Sequence, residues 1–333
     1  MKRVFNSVLQ VIGNTPMIKI NNLVKPDYAE VWVKAEHLNP GGSVKDRMAL
    51  FIVNEAERRG LLKPGGTIVE NTSGNTGVGL AMIAALRGYK MIFTIPDKMS
   101  QEKINFLKAF GAKVVVTPTD VPADSPDSYY ETAKRIAEET PNSFYVNQYN
   151  NPMNIKAHYE TTGPEILEQM DGNLDYFIAG IGTGGTMSGA GKYLKEKLPS
   201  IKNIAVDPEG SVFYDYFKSG KLIEPHVYKV EGIGEDMIVN AMDFSVVDDI
   251  YQVTDQECFE MTRRLAREEG IFAGGSSGGA MQVALNLAEK VGKNKRIVAL
   301  LPDSGDRYLS KVYSDEWMAQ NNFITSDIVE VEN

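Results

Sequence analysis

The chain has 333 residues, of which 43% are hydrophobic and 24% charged, and its formal net charge is −9. This composition predicts a soluble globular protein of about two domains, without the roughly 20-residue apolar run of a membrane span. The acidic balance disfavours partners such as nucleic acid or an anionic membrane. The single cysteine, Cys258, excludes an intrachain disulfide. Because the N-terminus also lacks the apolar stretch of a signal peptide, we expect a cytoplasmic protein.

Predicted strands and helices alternate along the chain. Short β-branched runs predict strands at 67–70, 91–95, 114–117, 176–181, 250–253 and 296–301. Helical patterns lie near 76–87, 101–110, 128–139, 186–197, 255–269 and 277–290. This alternation is typical of an α/β protein with parallel sheets flanked by helices. A break near 145–150 would give two α/β units, with the cleft between them as the expected ligand site.

The segment NPGGSVKDR (39–47) predicts a turn followed by a helix. Ser43 is the expected N-cap, and the helix runs to about Arg59, so Lys45 falls in its first turn. The helix dipole disfavours a cation there, and a desolvated lysine would lose its proton readily and become a nucleophile. A solvated lysine paired with a neighbouring acid fits the same residues.

Three loops of glycine and small hydroxyl residues each precede a predicted helix. Their sequences are NTSGNTG (71–77), GIGTGGTMSG (180–189) and AGGSSGG (273–279). Such loops offer backbone N–H donors to an anion at a helix N-terminus. Any one of them is explained as a capped turn. All three together indicate binding of more than one anion, such as a phosphate and a carboxylate.

The second loop also matches the dinucleotide fingerprint, through Gly180, Gly182 and Gly185. Asp207 lies where that fingerprint places its ribose-binding acid, so a NAD-dependent oxidoreductase is an alternative. Asp207 equally fits a cap of the turn at Pro208. The histidines show no ligand spacing, so we predict no metal site and expect His158 to be structural.

In this order the motifs resemble those of fold-type-II pyridoxal-phosphate enzymes, in the cystathionine beta-synthase and O-acetylserine sulfhydrylase (cysteine synthase) family. The resemblance runs from about residue 5 to about 322 and includes GNTPMIKI, GGSVKDR, NTSGNTG, GTGGT and GGSSGG. Four other segments favour the cystathionine beta-synthase branch: DSPDSYYETAKRI, QYNNPMN, EGIGEDM and PDSGDRYLSK. Tyr149 also favours it, since sulfhydrylases usually have phenylalanine there.

The resemblance implies a tryptophan synthase beta-like α/β fold. It has two parallel-type sheets flanked by helices, with the cofactor in the cleft between two domains. The smaller, mobile substrate domain would be 43–146, and the larger cofactor domain would combine 1–42 with 147–322. Residues 323–333 would be a tail or linker. A homodimer is expected, as is usual in the family.

Residue roles follow from the same resemblance. Lys45 would form the Schiff base with pyridoxal 5′-phosphate, and Asn75 would bond its ring hydroxyl. Ser276 would meet the pyridine nitrogen. The expected phosphate-binding residues are Gly182, Thr183, Gly184, Gly185 and Thr186. The expected substrate-binding residues are Thr72, Ser73, Thr76, Gln148, Tyr149 and Gly232.

The implied reaction is a β-replacement on amino-acid and thiol substrates. Serine, or O-acetylserine, would condense with homocysteine through an aminoacrylate and give cystathionine. The alternative within the family is cysteine synthase, which joins O-acetylserine to sulfide, and release of hydrogen sulfide from cysteine also fits.

Two features depart from the animal members of the family. No cysteine precedes the catalytic region, so we expect no haem. Those enzymes have an aromatic residue after GIG, where this chain has Glu235 and Asp236. An acid there either contacts the amino group of the second substrate or is a solvated loop charge.

Overall fold

Two sheets form the framework of the computed structural model, which describes residues 4–72, 74–97, 99, 101–122 and 124–324. The larger sheet has the strand order β1-β2-β10-β7-β8-β9, and the smaller has the order β5-β4-β3-β6. Strands β1 and β2 pair antiparallel, and every other pairing is parallel.

The strands of the larger sheet are β1 (Met17–Lys19), β2 (Glu30–Ala35), β7 (Tyr176–Gly180), β8 (Lys202–Pro208), β9 (Asp249–Val253) and β10 (Arg296–Leu301). Those of the smaller sheet are β3 (Thr67–Asn71), β4 (Lys90–Pro96), β5 (Lys113–Thr117) and β6 (Ser143–Tyr145). Every residue of β3 is buried, as expected for an inner strand of a parallel sheet covered on both faces. The sheets use separate stretches of chain, which motivates the domain division at 43–146; those boundaries stay a prediction.

The helices between α1 and α6 are α1 (Lys45–Arg58), α2 (Asn75–Arg87), α3 (Gln101–Ala109), α4 (Tyr129–Glu139), α5 (Pro152–Glu160) and α6 (Thr162–Gln169). The remaining helices are α7 (Gly185–Lys197), α8 (Phe213–Ser219), α9 (Asp255–Glu269), α10 (Gly275–Val291) and α11 (Asp315–Gln320). Short 3₁₀ helices lie at Val8–Val11, Glu36–Leu38, Phe244–Val246 and Gly305–Tyr308. Among the described residues, no helix combines the length and apolar character needed to cross a membrane.

Local sequence explains where several helices begin and end. At the start of α9, the Thr254 hydroxyl accepts from the Glu257 amide while the Glu257 carboxylate accepts from the Thr254 amide. At the start of α5, Asn151 accepts from the Met153 amide and Pro152 occupies the first turn. Gly270 ends α9 in the left-handed conformation that glycine adopts without strain.

The strands and helices predicted from the sequence are present, with ends that differ by at most two residues. Strands β1, β2, β6 and β8 and helices α5, α6, α8 and α11 were not predicted. Helix α6 begins with Thr162, Gly163 and Pro164, which are weak helix formers, so its packing on α7 outweighs its local propensity. The predicted N-cap is wrong by one position, because Val44 is the cap of α1. The Ser43 hydroxyl still accepts from the Lys45 amide at 3.3 Å.

A buried ionic cluster fixes the first turn of α1 to the larger sheet. The Arg47 guanidinium donates to both oxygens of Glu36 at 2.7 and 2.8 Å. It also donates to both oxygens of Glu165 at 2.7 and 2.6 Å, and Lys34 Nζ binds Glu165 at 2.8 Å. Burial opposes ionisation of Glu36, but the charge and hydrogen bonds of Arg47 outweigh it and hold its pKa at about 2.

Replacing Arg47 with methionine is expected to destabilise the protein strongly, because Glu36 would remain as a buried charge without its partner. Loss of one member of a buried ion pair costs about 3–5 kcal/mol. The control is Arg58→Met, because the Arg58 side chain is 70% exposed in its pair with Glu55 and such pairs contribute about 1 kcal/mol at most. Urea unfolding of both variants measures the difference. Equal midpoints would show that the cluster is not what anchors α1.

Candidate active site

A cavity of about 370 Å³ lies at the carboxyl ends of strands β3, β6 and β7. In parallel α/β sheets this edge is where ligands bind. Its lining includes these predicted site residues: Lys45, Thr72, Asn75, Thr76, Gln148, Tyr149, Gly182, Thr183 and Gly232. Gly184, Gly185 and Thr186 continue from this lining into α7. Ser73 lies outside the described residues.

Lys45 is the first residue of α1, and its side chain reaches the cavity. Among the described residues, its Nζ has no hydrogen-bond or ion-pair partner. Burial lowers the pKa of this amine, and the charges of Asp303 and Glu235 oppose that shift only in part. The helix N-terminus acts in the same direction as burial. The alternative of a solvated lysine paired with a neighbouring acid is therefore wrong.

Asn75 is held at the start of α2 by a residue from the other side of the cavity. Its Nδ2 donates to Asp303 Oδ2 at 2.8 Å, and the Tyr308 hydroxyl donates to the same oxygen at 2.6 Å. Asp303 is buried, and its backbone oxygen accepts from the Gly274 amide. The Asn75 amide is thus fixed in one orientation, with its second N–H available to a ligand.

The loop before α7 presents a row of backbone N–H donors. The amides of residues 183–187 have no hydrogen-bond acceptor within the described part of the chain. A Cβ at Gly184 would lie 2.6 Å from the Met242 Cα, and one at Gly185 would lie 2.1 Å from Asn154 Oδ1. Only glycine fits at either position. Together with the positive end of the α7 dipole, these amides suit an anion.

A second donor group lies at the start of α2. The Thr72 hydroxyl oxygen accepts from the amides of Gly74 and Gly77 at 3.1 and 3.2 Å, which leaves its hydrogen available to an acceptor. The Thr76 hydroxyl donates to Gln148 Oε1 at 2.7 Å. Buried Glu70 accepts from the Gln148 amide at 3.4 Å and so helps to hold the loop that carries this glutamine.

Ser276 lies in the first turn of α10, beside Gly232. A Cβ built on Gly232 would lie 3.7 Å from Ser276 Oγ. Ser276 is 1% exposed, and its hydroxyl has no hydrogen-bond partner among the residues that the structure describes. A buried hydroxyl of this kind suits a ligand nitrogen that accepts a hydrogen bond.

The loop at 231–237 forms an acidic wall of the cavity. It contains Glu235 and Asp236, for which the sequence left two interpretations open. The Glu231 carboxylate pairs with Lys103 of α3 and, at 2.5 Å, with Lys311. Glu235 and Asp236 line the cavity as well. Burial and the charge of Asp236 raise the pKa of Glu235 to about 8. Glu235 is therefore a partly buried acid of the cavity, so the interpretation as a solvated loop charge is wrong.

Tyrosines complete this wall. Tyr129, Tyr130, Tyr149 and Tyr228 line the cavity, and the rings of Tyr130 and Tyr149 meet edge to face at 5.8 Å. Of these four tyrosines, only Tyr149 was predicted from the sequence as a site residue. Tyr129 and Tyr130 are adjacent in the segment DSPDSYYETAKRI, which from the sequence only favoured one branch of the family, and Tyr228 lies in no motif. The folded structure shows that all three line the cavity.

Asp207 does not reach the cavity. It is fully buried at the end of β8, and its Oδ2 accepts from the Tyr214 amide at the start of α8 at 2.9 Å. It therefore binds the first turn of α8, rather than the turn at Pro208 that the sequence offered as its alternative role, and it is not available to a ribose hydroxyl.

A family model described as "Pyridoxal-phosphate dependent enzyme" matches residues 8–303. The cystathionine beta-synthase of Apis mellifera is 48% identical over 325 residues, which are 97% of this chain and 64% of that protein. The chain spans about three fifths of the length of the curated relatives it matches.

Two crystal structures are similar over their whole length. A hydrogen sulfide-producing enzyme from Fusobacterium nucleatum has a TM-score of 0.85 and 41% identity, covering 92% of this chain and 100% of that one. An O-acetylserine dependent cystathionine beta-synthase from Helicobacter pylori has a TM-score of 0.86 and 38% identity, covering 94% and 100%.

Proposed function

The chain belongs to the pyridoxal-phosphate dependent enzyme family, and from that premise we propose that it is a β-replacement enzyme. It would join the three-carbon unit of serine, or of O-acetylserine, to homocysteine and form cystathionine. The observation that carries this proposal is the cavity itself, where one desolvated amine, Lys45, faces two groups of anion-binding donors and an acidic wall.

The residues of the cavity fit pyridoxal 5′-phosphate. The unpartnered amides of residues 183–187 match its phosphate, and the Ser276 hydroxyl matches its ring nitrogen. The Asn75 amide matches its ring hydroxyl, and Lys45 would hold its aldehyde carbon covalently. When bound, this cofactor supplies an electron-accepting ring that makes the α-hydrogen of an amino acid acidic.

Lys45 is the proposed base. Its pKa is lowered by burial, so a larger fraction of the amine is neutral and able to take a proton. It would remove the α-hydrogen of the donor amino acid and later return a proton to the same carbon. The hydroxyl or acetoxy group leaves from the β-carbon, and the thiol sulfur takes its place.

The donor amino acid is proposed to bind by its carboxylate at the start of α2. The Thr72 hydroxyl has its hydrogen available, and the helix N-terminus attracts an anion. Gln148 closes the other side through its bond to Thr76. In this proposed pose the α-carbon would lie between Lys45 and the acidic wall, with Tyr149 and Gly232, which also line the cavity, beside it.

The acidic wall supports an amino-acid thiol as the second substrate. Homocysteine carries an ammonium group, to which Asp236 offers a negative charge. A bound ammonium would in turn favour the charged form of the Glu235 carboxyl, whose pKa is about 8 in the free protein. Sulfide has no group that such a wall could recognise. For this reason we place homocysteine ahead of sulfide.

Sulfide chemistry remains the second proposed activity. One of the similar crystal structures is of a hydrogen sulfide-producing enzyme, and the same cavity would accept cysteine as a donor that releases sulfide. Cysteine synthesis from O-acetylserine and sulfide would use the same residues in the same roles.

A matrix of donors and thiols tests the proposal. Serine and O-acetylserine are each combined with homocysteine, sulfide and cysteine, and the products are identified by mass. We expect cystathionine to form with the highest kcat/KM in the presence of homocysteine. A protein that forms cysteine from sulfide much faster than cystathionine would instead be a cysteine synthase.

We also propose a homodimer. Phe5, Val11 and Leu38 line a surface cavity near the N-terminus, and Val4 and Val8 are exposed in the same segment. Clustered exposed apolar side chains of this kind mark association surfaces. Light scattering during size exclusion should give twice the mass of one chain; the mass of a single chain at micromolar concentration would contradict the dimer. A cytoplasmic location stays a prediction from the single cysteine.

A further inference from the structure

One neighbouring helix contacts both Thr183, in the loop before α7, and Thr186, in the first turn of α7. Asn154 and His158 lie one turn apart on the same face of α5, and each is 1% exposed. Asn154 bonds the Thr183 hydroxyl, and His158 bonds the Thr186 hydroxyl. Helix α5 therefore contacts both threonine hydroxyls through side chains that do not line the cavity.

The direction of the Asn154 bond is fixed by a third group. Its Nδ2 donates to the backbone oxygen of Gln148 at 2.9 Å and to Thr183 Oγ1 at 3.0 Å. A backbone carbonyl can only accept, so the nitrogen of the amide must point this way, and its second hydrogen goes to Thr183. Thr183 Oγ1 is thus an acceptor here, and its own hydrogen is available to another group.

His158 contacts Thr186 through a ring nitrogen. Its Nδ1 lies 2.8 Å from Thr162 Oγ1, and its Nε2 lies 3.3 Å from Thr186 Oγ1. Burial, together with the charges of Arg47 and Lys45, lowers its pKa to about 3, so the ring is neutral and carries one N–H. The role proposed below for His158 requires that hydrogen on Nε2, with Nδ1 accepting from the Thr162 hydroxyl.

A hydroxyl whose oxygen accepts an N–H keeps its own hydrogen free to donate to another acceptor. A phosphate dianion offers acceptors alone, so hydroxyls prepared in this way are complementary to it. We propose that Asn154 and His158 are positioning residues for the cofactor phosphate, directing the hydroxyl hydrogens of Thr183 and Thr186 toward it. This inference rests on the proposed assignment of the loop to that phosphate.

Close packing of α5 on α7 makes the arrangement possible. A Cβ at Gly189 would lie 2.1 Å from the Ile155 backbone oxygen, and one at Gly185 would strike Asn154. These two glycines let the helix backbones approach until short side chains reach the loop. The contacts of α5 with the two threonines thus depend on the packing of two helices and not on the loop alone.

The test compares pyridoxal 5′-phosphate with pyridoxal, which lacks the phosphate, as ligands of the apoprotein. Binding of each is followed by visible absorbance, and the ratio of the two affinities is taken within each variant. We expect Asn154→Leu and His158→Leu each to lower this ratio on the order of tenfold, the value of one charge-assisted hydrogen bond. His158→Gln keeps an N–H donor and should recover most of the loss.

Matched controls separate this role from packing. Tyr159→Phe removes the hydrogen bond from the Tyr159 hydroxyl to Glu196, which also joins α5 to α7 but lies away from the loop, and should leave the ratio unchanged. In a Thr186→Val background, His158→Leu should change the ratio little, because its target hydroxyl is gone.

Variants that weaken both ligands equally, or an undiminished effect of His158→Leu in the Thr186→Val background, would overturn the inference. A wild-type protein that binds the two ligands equally would instead contradict the phosphate assignment on which it rests.

Discussion

The Lys45→Ala protein is expected to turn over at least about 10³-fold more slowly than the wild type, because general-base catalysis at the α-carbon depends on this one amine. The loss should appear in kcat, since the donor carboxylate is held elsewhere, at the start of α2. The α1 helix should persist, because alanine favours it and the Arg47 cluster is untouched. Steady-state kinetics with serine and homocysteine give the comparison.

The control for this prediction is Lys63→Ala, an exposed lysine outside the cavity, which should keep the wild-type rate. Exogenous methylamine should restore part of the activity of Lys45→Ala by supplying a small amine in the vacated space. A Lys45→Ala protein with the wild-type kcat would show that another group moves the proton.

Above pH 8, where the Glu235 carboxyl is charged, Glu235→Gln is expected to lower kcat/KM for homocysteine on the order of 10- to 100-fold, since one charged contact in the cavity is removed. 4-Mercaptobutanoate has the same thiol and carboxylate as homocysteine but no ammonium group, so its kcat/KM should change little. The ratio of the two values therefore isolates recognition of the ammonium. If both thiols lose equally, Glu235 does not recognise the second substrate.

The pH dependence gives a second test of Glu235. Burial and Asp236 raise its pKa to about 8, so the carboxyl is uncharged below that pH and charged above it. The preference for homocysteine should therefore rise with pH toward 8 in the wild type. At each pH, the wild-type ratio of kcat/KM for homocysteine to kcat/KM for 4-mercaptobutanoate is divided by the same ratio for Glu235→Gln. This division cancels the effect of pH on the two thiols themselves. Asp236→Asn should move the rise to lower pH, because it removes a charge that raises the pKa; a rise that stays in place would contradict this coupling.

Much of the fold followed from local sequence signals. Buried parallel strands such as β10, RIVALL, are nearly continuous apolar runs, and glycine and capping residues fix the ends of helices such as α9. The predicted family, α/β fold class and cofactor are confirmed by the family match and the similar structures. Because Asp207 binds the first turn of α8, the nicotinamide alternative has lost its ribose-binding acid.

The site could be predicted only where its residues lie in contiguous motifs. Lys45, Asn75 and the loop at 182–186 each sit in a short segment with its own chemical logic. Asp303, which orients Asn75, is 228 residues from it, and no periodicity links the two. His158 was expected to be structural because an isolated histidine carries no pattern, and its contact with Thr186 exists only once α5 packs on α7.

The most direct measurement is reduction of the cofactor-loaded protein with borohydride, followed by digestion and peptide mapping by mass. The reduction should fix the cofactor's mass to a single peptide, the one that contains Lys45 within GGSVKDR. A tag on a different peptide, or no tag on a protein that has bound the cofactor, would contradict the account.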